Sequence, residues 1–328
     1  MRRIAFAAAM VALVSGQDLQ VARAAAADTG PTVVETAPTD HSIAIPKERL
    51  ADYLKDMDAR RLATRRLIEG GKYSVSLHRI VAPETGVESP ITAELWFVLE
   101  GAGTLSVGGV FDAGTVKGAR SHPLEAGDVV YLPSGLPHGV GSVGRTLSWL
   151  AVRWDTDWPA ESPMGAGTLT GLTGGTPPPR AAAAPPPRVP LPAGSQQALP
   201  FSYGGSGERV FTRKALDEIM AGMRLRKAGN TRLIEGGRYN INLRWNGTPS
   251  METHQQTIDT WVLLAGGGTV NTGFQSTGGT RVPGTGVSAP AKPGDVFFMP
   301  SKLPHGYSEV RPDVFWLNIR WDDNYRKE

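Results

Sequence analysis

The chain has 328 residues, a two-domain length, and it contains 40 glycines, 26 prolines and no cysteine. This content of turn-forming residues excludes a mainly helical protein, and the lack of cysteine excludes disulfides and thiolate metal ligands. A formal net charge of +3, without a cluster of Lys or Arg among aromatic residues, indicates that nucleic acid is not a partner.

The amino terminus has the layout of a secretory signal. Arg2 and Arg3 precede an apolar run from Ile4 to Val14, and Ala22-Arg23-Ala24 supplies small residues for cleavage. We therefore predict a signal peptide over residues 1–27 and a periplasmic or secreted protein. The apolar run is too short to span a bilayer, so no membrane span is expected. The alternative is an Ala-rich tail without a targeting role.

A first domain is predicted over residues 45–160, after a polar arm at residues 28–44. Pro46 begins a helical stretch in which Leu50, Leu54 and Met57 recur at a spacing of three to four. Short alternating strands follow, and Gly101-Ala102-Gly103 is expected to be a turn between two of them. This pattern is typical of a β-sandwich or barrel.

The second half of the chain repeats this organisation. Residues 161–205 are rich in Pro, Ala and Gly and predict a linker. The second domain is predicted over residues 206–328, where Thr212 is the expected N-cap of a helix and Gly266-Gly267-Gly268 the expected turn. The two halves share three sequence blocks at an offset of 166 or 167: Arg66–Tyr73 and Arg232–Tyr239, Gly127–Gly139 and Gly294–Gly306, Trp149–Trp154 and Trp316–Trp321.

The repeated blocks resemble the two motifs of the cupin superfamily. Gly127, Pro133, Gly135 and His138 fit the second motif, as do Gly294, Pro300 and His305, although Ser142 and Glu309 stand where the family has Asn and Lys302 replaces a Gly. The segments from Glu94 to Gly101 and from Asp259 to Gly266 fit the end of the first motif. The resemblance implies an all-β protein with two tandem cupin barrels (double-stranded β-helix or jelly-roll), each preceded by a short helix.

In cupins, two His and a Glu of the first motif and the His of the second bind one divalent metal. The corresponding set in the second copy is Glu252, His254, Asp259 and His305. Two imidazoles with carboxylates suit Fe, Mn, Ni or Zn, and we expect one such metal. In the alternative interpretation His305 is a structural turn residue, because His138 recurs in the first copy without an obvious set of partners.

The first copy lacks two of these ligand types, because Val87 and Ser89 stand at the positions of Glu252 and His254. A second site made of His78, Glu94 and His138 is conceivable, but it does not follow the family pattern. The alternative is a barrel with a structural or dimer-forming role.

Other polar and aromatic side chains are candidates for lining a substrate pocket, although strand alternation alone does not separate the inside of a barrel from the outside. The candidates are Arg320, Tyr239, Asn242, Trp261 and Tyr307, with Arg244 and Phe298 beside them. Arg320 could clamp a carboxylate, or it could face outward, either stacked on a Trp or paired with Asp322. Tyr307 could act as an acid or base, or it could lie at the surface.

These observations predict an exported metal-dependent bicupin enzyme that acts on a small organic molecule. Two His with a carboxylate favour oxygenase chemistry at the second barrel, while lyase, decarboxylase and isomerase chemistry remain open. The alternative is a non-catalytic bicupin that binds or senses a small molecule. Because cupins often dimerise, a homodimer is a further expectation, although two fused barrels already supply such an interface.

Overall fold

The computed structural model describes residues 33–84, 91–112, 115–157, 202–203 and 207–323. The predicted signal peptide and Val87 and Ser89 lie outside the described residues, as does most of the predicted linker. None of the described helices is long and apolar enough to cross a membrane.

The first half of the described chain contains one helix, α1 (Lys47–Arg60). Its strands are β1 (Glu35–Thr36), β2 (Ile43–Ile45), β3 (Thr64–Glu69), β4 (Tyr73–Ile80), β5 (Thr92–Val107), β6 (Val110–Asp112), β7 (Thr115–Lys117), β8 (Arg120–Glu125), β9 (Val129–Leu132) and β10 (His138–Asp155).

The second half repeats this order, with β11 (Ser202–Tyr203) and β12 (Arg209–Phe211) before α2 (Arg213–Arg226). The remaining strands are β13 (Asn230–Glu235), β14 (Tyr239–Asn246), β15 (Thr257–Thr272), β16 (Ser276–Thr277), β17 (Thr280–Arg281), β18 (Val287–Ala291), β19 (Val296–Met299) and β20 (His305–Asp322).

Each half builds one large sheet. The strand order is β1-β3-β4-β10-β5-β9-β12 in the first sheet and β11-β13-β14-β20-β15-β19-β2 in the second, with β8 and β18 paired to β5 and β15. The two long strands at the centre of each sheet, of 16 and 18 residues, are interrupted by register shifts. This architecture confirms the predicted all-β fold with two tandem barrels, each preceded by a helix.

The glycine clusters lie inside the long strands, where the sequence had predicted turns. Gly101 in β5 and Gly266 in β15 adopt φ values of +84° and +69° at register shifts with the neighbouring strand. A Cβ at Gly266 would lie 1.6 Å from the carbonyl oxygen of Asp313. These glycines therefore allow close approach of two backbones at a bulge, which bends the strand without ending it.

Both faces of the strands are buried, one against the other barrel and one inside its own barrel. The apolar faces of the two sheets, together with Leu50, Met57 and Leu216 of the helices, form one hydrophobic cluster that extends over both halves. The opposite faces point into the barrels, where each has its own smaller aromatic and aliphatic cluster. The polar residues of β4 and β14 share these inner faces, so the functional side chains of each barrel lie there.

The two halves exchange strands. β2 pairs with β19 of the second sheet, and β12 pairs with β9 of the first. The backbone N–H of Lys47 donates to Asp295 at 2.8 Å, and that of Arg213 donates to Asp128 at the same distance. The residues predicted as an arm therefore supply β1 and most of β2, and β11 lies within the segment predicted as linker.

Candidate metal centre

His305 stands at the start of β20 and is fixed by its own turn. Its Nδ1 donates to the carbonyl oxygen of Leu303 at 2.7 Å, and the side chain is buried. Its Nε2 has no hydrogen-bond partner among the described residues, and the ring packs against Trp261 inside the barrel. A hydrogen bond from one ring nitrogen to a carbonyl is the usual way in which a protein orients a metal-binding imidazole.

Glu252 and His254 approach His305 from a short segment between β14 and β15. Glu252 and His305 exchange two backbone hydrogen bonds, of 2.7 and 2.9 Å, which fixes their relative position. The Nε2 of His254 lies 3.2 Å from a carboxylate oxygen of Glu252. One ligand atom from each of these three residues lies within 4.8 Å of the other two, so a single cation could contact all three.

Asp259, the fourth predicted ligand, is beside this group but has another partner. Its Oδ2 lies 3.5 Å from the Nε2 of both His254 and His305. Arg320, directly across on β20, donates to both of its oxygens at 2.7 and 3.0 Å. Another contact joins Nη2 of Arg320 to Nε2 of His254 at 2.6 Å. Arg320 therefore faces the site, and the predicted alternative of pairing with Asp322 is wrong.

Two guanidinium groups balance the two carboxylates of the site. Arg244 on β14 forms an ion pair with Glu252, as Arg320 does with Asp259. Burial opposes ionisation, but the neighbouring imidazole of His254 and the charge of Arg244 lower the pKa of Glu252 to about 2. Burial is likewise outweighed at Asp259, where the charge of Arg320 holds the pKa well below its usual value. Both carboxylates are therefore ionised at neutral pH.

Three further predicted pocket residues, besides Arg320 and Arg244, lie on the inner face of the second barrel. Asn242 is buried and accepts from Nε of Arg232 at 2.6 Å. Trp261 contacts the imidazole of His305 edge to face, with ring centroids 5.4 Å apart. Tyr307 stacks on Trp261 at 5.7 Å and is fully buried, so the predicted surface alternative is wrong for this residue. Burial raises the pKa of the Tyr307 hydroxyl, which has no hydrogen-bond partner.

Tyr239 and Phe298 are not part of this site, which corrects the prediction that they line it. Both side chains belong to the cluster between the barrels. The hydroxyl of Tyr239 forms a hydrogen bond with that of Tyr131 from the first barrel. Their strands alternate as predicted, but the apolar face turns toward the other barrel and the polar face turns inward.

The first barrel does not assemble an equivalent group from His78, Glu94 and His138. His138 repeats the geometry of His305, with Nδ1 2.8 Å from the carbonyl oxygen of Leu136, and its Nε2 lies 3.7 Å from Glu94. Glu94 accepts from Trp96 at 2.8 Å and pairs with Arg153 at 2.7 Å. His78 instead stacks on Trp149 with ring centroids 4.8 Å apart. Among the described residues, the three-ligand group occurs in the second barrel.

Comparisons with known proteins agree with this architecture. The cupin domain family matches residues 81–153. Salicylate 1,2-dioxygenase from Pseudaminobacter salicylatoxidans is similar over 88% of this chain and 85% of its own, with 13% identity and a TM-score of 0.53. Residues 81–153 therefore belong to the cupin domain family. A mutant of Bacillus subtilis oxalate decarboxylase covers 88% of this chain and 78% of its own chain, with 14% identity and a TM-score of 0.43. No curated protein matches this chain in sequence.

At these identities the solved structures show the shared fold alone, so the chemistry of this chain has to be argued from its own residues. The second barrel offers two imidazoles and an ionised carboxylate around one point, next to a second carboxylate held by a guanidinium. Such a set can hold a borderline divalent metal. Arg244 was noted from the sequence only as a candidate for pocket lining, and its position on the polar face of β14 was the available signal.

Proposed function

We propose that the second barrel binds one divalent transition metal through Glu252, His254 and His305, and that the protein is a metal-dependent enzyme acting on a small organic molecule. The observation that carries this proposal is the convergence of three ligand atoms within 4.8 Å of one another. The orphaned Nε2 of the buried His305 supports it, because a buried nitrogen without a partner is costly unless something binds it.

The donor set fits Fe, Mn, Ni or Zn, since it combines imidazole with carboxylate and contains no sulfur. A metal bound there would supply Lewis-acid or oxygen-binding chemistry to a substrate in the barrel. Asp259 is a further possible ligand in this proposal, because its Oδ2 lies 3.5 Å from both imidazoles, although Arg320 already binds both of its oxygens. Its ion pair keeps the carboxylate ionised and aimed at the site.

The residues around the ligands would bind and orient the substrate. Arg320 presents a guanidinium on the inner face, where it could exchange its contact with His254 for an oxygen of the substrate. The hydroxyl of Tyr307 keeps its proton at neutral pH, so it can donate a hydrogen bond and does not act as a base. Trp261 and Trp316 form apolar walls that limit access of water.

Within this proposal we favour oxygenase chemistry, because two His with one carboxylate leave open positions on a metal, as in non-haem iron oxygenases. The similarity to a dioxygenase of known structure is compatible with this choice but does not decide it. Lyase, decarboxylase or isomerase chemistry could use the same ligands.

A second candidate function, a metal-free barrel that binds a small molecule, has one observation in its favour. Arg244 and Arg320 already neutralise Glu252 and Asp259, so the site is balanced without a cation. In that case the two arginines would be the ligand-binding groups, and the histidines would have a structural role.

Metal analysis of the full chain separates the two functions. We expect stoichiometric Fe, Mn, Ni or Zn in protein from its native host, and loss of that metal in a His254→Ala/His305→Ala double variant. The matched control is His138→Ala in the first barrel, which should keep the metal. A wild-type protein that stays metal-free after incubation with each of the four ions would refute the metal proposal. Oxygen consumption by the Fe(II)-loaded protein with candidate organic acids then tests the oxygenase assignment.

We also propose that the protein is exported, on the strength of the positive, apolar and small-residue order of residues 1–27. Mass spectrometry of the mature protein from its host tests this. An intact terminus beginning at Met1 would contradict it.

A further inference from the structure

The inner face of the first barrel has a patch of small residues in the middle of its sheet. Ser76 on β4 lies between Arg66 on β3 and Ala151 on β10, which are its direct cross-strand partners. Ser74 and His78 precede and follow it on the same face of β4. Ser74, Ser76 and Ala151 are all buried, so this patch belongs to the barrel interior.

Three buried nitrogen atoms around Ser76 have no hydrogen-bond acceptor in the part of the chain that the structure describes. They are Nε of Arg66, Nε of Arg153 and Nε2 of His78. Arg66 lies directly across from Ser76, His78 lies two residues along the same strand, and Arg153 lies across from Ser74. His78 is 7% exposed, and directly opposed residues on neighbouring strands share a face, so the three nitrogens border one region of the interior.

The second barrel carries longer polar side chains at the corresponding positions. The counterparts of Ser74, Ser76 and Ala151 are three buried asparagines, Asn240, Asn242 and Asn318. There Nε of Arg232, the counterpart of Arg66, donates to Asn242 at 2.6 Å. Nε of Arg320, the counterpart of Arg153, donates to Asp259 at 2.7 Å. The first barrel therefore keeps both arginines, but Ser76 is too short to take the place of Asn242 beside Arg66, and Glu94 contacts Nη2 of Arg153 and leaves its Nε without an acceptor among the described residues.

Both arginines of the first barrel are already anchored through their terminal nitrogens. Arg66 forms an ion pair with Glu69, and Nη2 of Arg153 contacts Glu94 at 2.7 Å. Because one end of each guanidinium is held, the Nε–H groups are oriented in advance and little entropy is lost when they bind. The Nδ1 of His78 lies 3.2 Å from the hydroxyl of Thr64, which can donate to it and leave Nε2–H as a third donor.

We propose that the interior of the first barrel is a binding site for a small carboxylate, held by Arg66, Arg153 and His78 above Ser76. A carboxylate offers about four lone-pair positions on two oxygens, which matches a set of three converging N–H donors. The indole of Trp149, stacked on His78, forms an apolar wall beside the site. This site binds an organic anion in the first barrel, whereas the proposed metal centre lies in the second. Either proposal can therefore be refuted without refuting the other.

The test is isothermal titration calorimetry on the full chain after removal of metal with EDTA, with sodium benzoate as the probe and benzamide as its neutral isostere. We expect saturable 1:1 binding of benzoate and at least tenfold weaker binding of benzamide. Ser76→Asn gives the first barrel the residue that the second barrel carries at this position, so it should fold while filling the site and satisfying Arg66. We expect it to weaken benzoate binding at least tenfold.

Two further variants complete the design. Ser276→Asn, the same exchange at an exposed position on β16, should leave benzoate affinity unchanged. Arg66→Lys keeps the positive charge but removes the Nε–H donor, and should also weaken benzoate binding at least tenfold with an unchanged near-UV circular dichroism spectrum. The proposal is overturned by absence of saturable benzoate binding, by equal affinity for benzamide, or by full affinity in either Ser76→Asn or Arg66→Lys.

Discussion

Replacing Arg320 with Ala should have opposite effects on stability and on metal binding, because this side chain contacts both a buried carboxylate and a candidate ligand. Asp259 is 1% exposed and receives two hydrogen bonds from the guanidinium. Removing one partner of a buried ion pair costs about 3–5 kcal/mol, since the remaining charge keeps its desolvation penalty. We expect a loss of that size in the free energy of unfolding of the metal-free protein.

The same substitution should raise metal affinity. Nη2 of Arg320 donates to Nε2 of His254 at 2.6 Å, so the guanidinium uses the lone pair that a metal would need. Its removal frees that lone pair, releases Asp259 and takes away a positive charge beside the cation position. A ligand at about 100 times its dissociation constant stabilises the native state by about 2.7 kcal/mol. Saturating Zn(II) or Mn(II) should therefore restore more stability to Arg320→Ala than it adds to the wild type.

Urea unfolding followed by tryptophan fluorescence measures both effects, once with EDTA and once with metal. The matched control is Arg153→Ala, which removes the partner of the buried Glu94 in the first barrel. This control should lose stability in EDTA without gaining metal affinity. A variant Arg320→Ala that is as stable as wild type in EDTA, or that gains no more than wild type from metal, would show that the guanidinium neither stabilises Asp259 nor competes for His254.

Three smaller predictions concern individual residues. Burial and, to a smaller extent, the charge of Arg153 lower the pKa of His78 to about 3. As the pH falls below about 6.5, this imidazole therefore becomes protonated in the unfolded chain but stays neutral in the folded protein. Between pH 6.5 and 5 the wild type should lose up to about 1.4 kcal/mol per pH unit from this group, and urea titrations of His78→Gln should show a shallower slope. Gly266→Ala should lower the unfolding midpoint far more than Gly278→Ala, which also has a positive φ but has open space for a Cβ; equal effects would contradict the close approach. Thr212→Ala removes the N-cap acceptor of the Ala215 N–H and should cost about 1 kcal/mol in chemical unfolding, whereas an unchanged midpoint would show that the cap is dispensable.

The period-two alternation predicted strands with two unlike faces, and the resemblance of the repeated blocks to cupin motifs predicted two barrels. They did not reveal which face lies inside, because both faces are buried in this molecule. Tyr239 carries the apolar face of β14 and therefore packs against the other barrel, although it had been expected in the pocket. Strand alternation describes the difference between two faces, and only the packing of the barrels determines which of them encloses the site.

The turns predicted at the glycine clusters were wrong for a related reason. Gly266 marks a point where two backbones come close, and a sequence shows the need for glycine without showing whether the strand ends or bends there. The ligand group was easier to predict, since the resemblance to the cupin motifs places Glu252, His254 and His305 at ligand positions and Glu252 and His254 are two residues apart. The partnership of Asp259 with Arg320 depends on the register of β15 against β20, which the sequence does not contain.

The strand exchange explains why the two copies differ more in the residues inside each barrel than in the residues that face the other barrel. β2 and β12 complete each other's sheets, and Asp128 and Asp295 each hold the start of the opposite helix. A change on an outward face must therefore suit both halves at once, because both contribute to one cluster. A change on an inner face affects a single barrel. The interior of the second barrel could therefore acquire the proposed metal ligands while that of the first kept unpaired donors above small side chains. In this way one duplicated fold could contain both of the proposed sites, one for a cation and one for an anion.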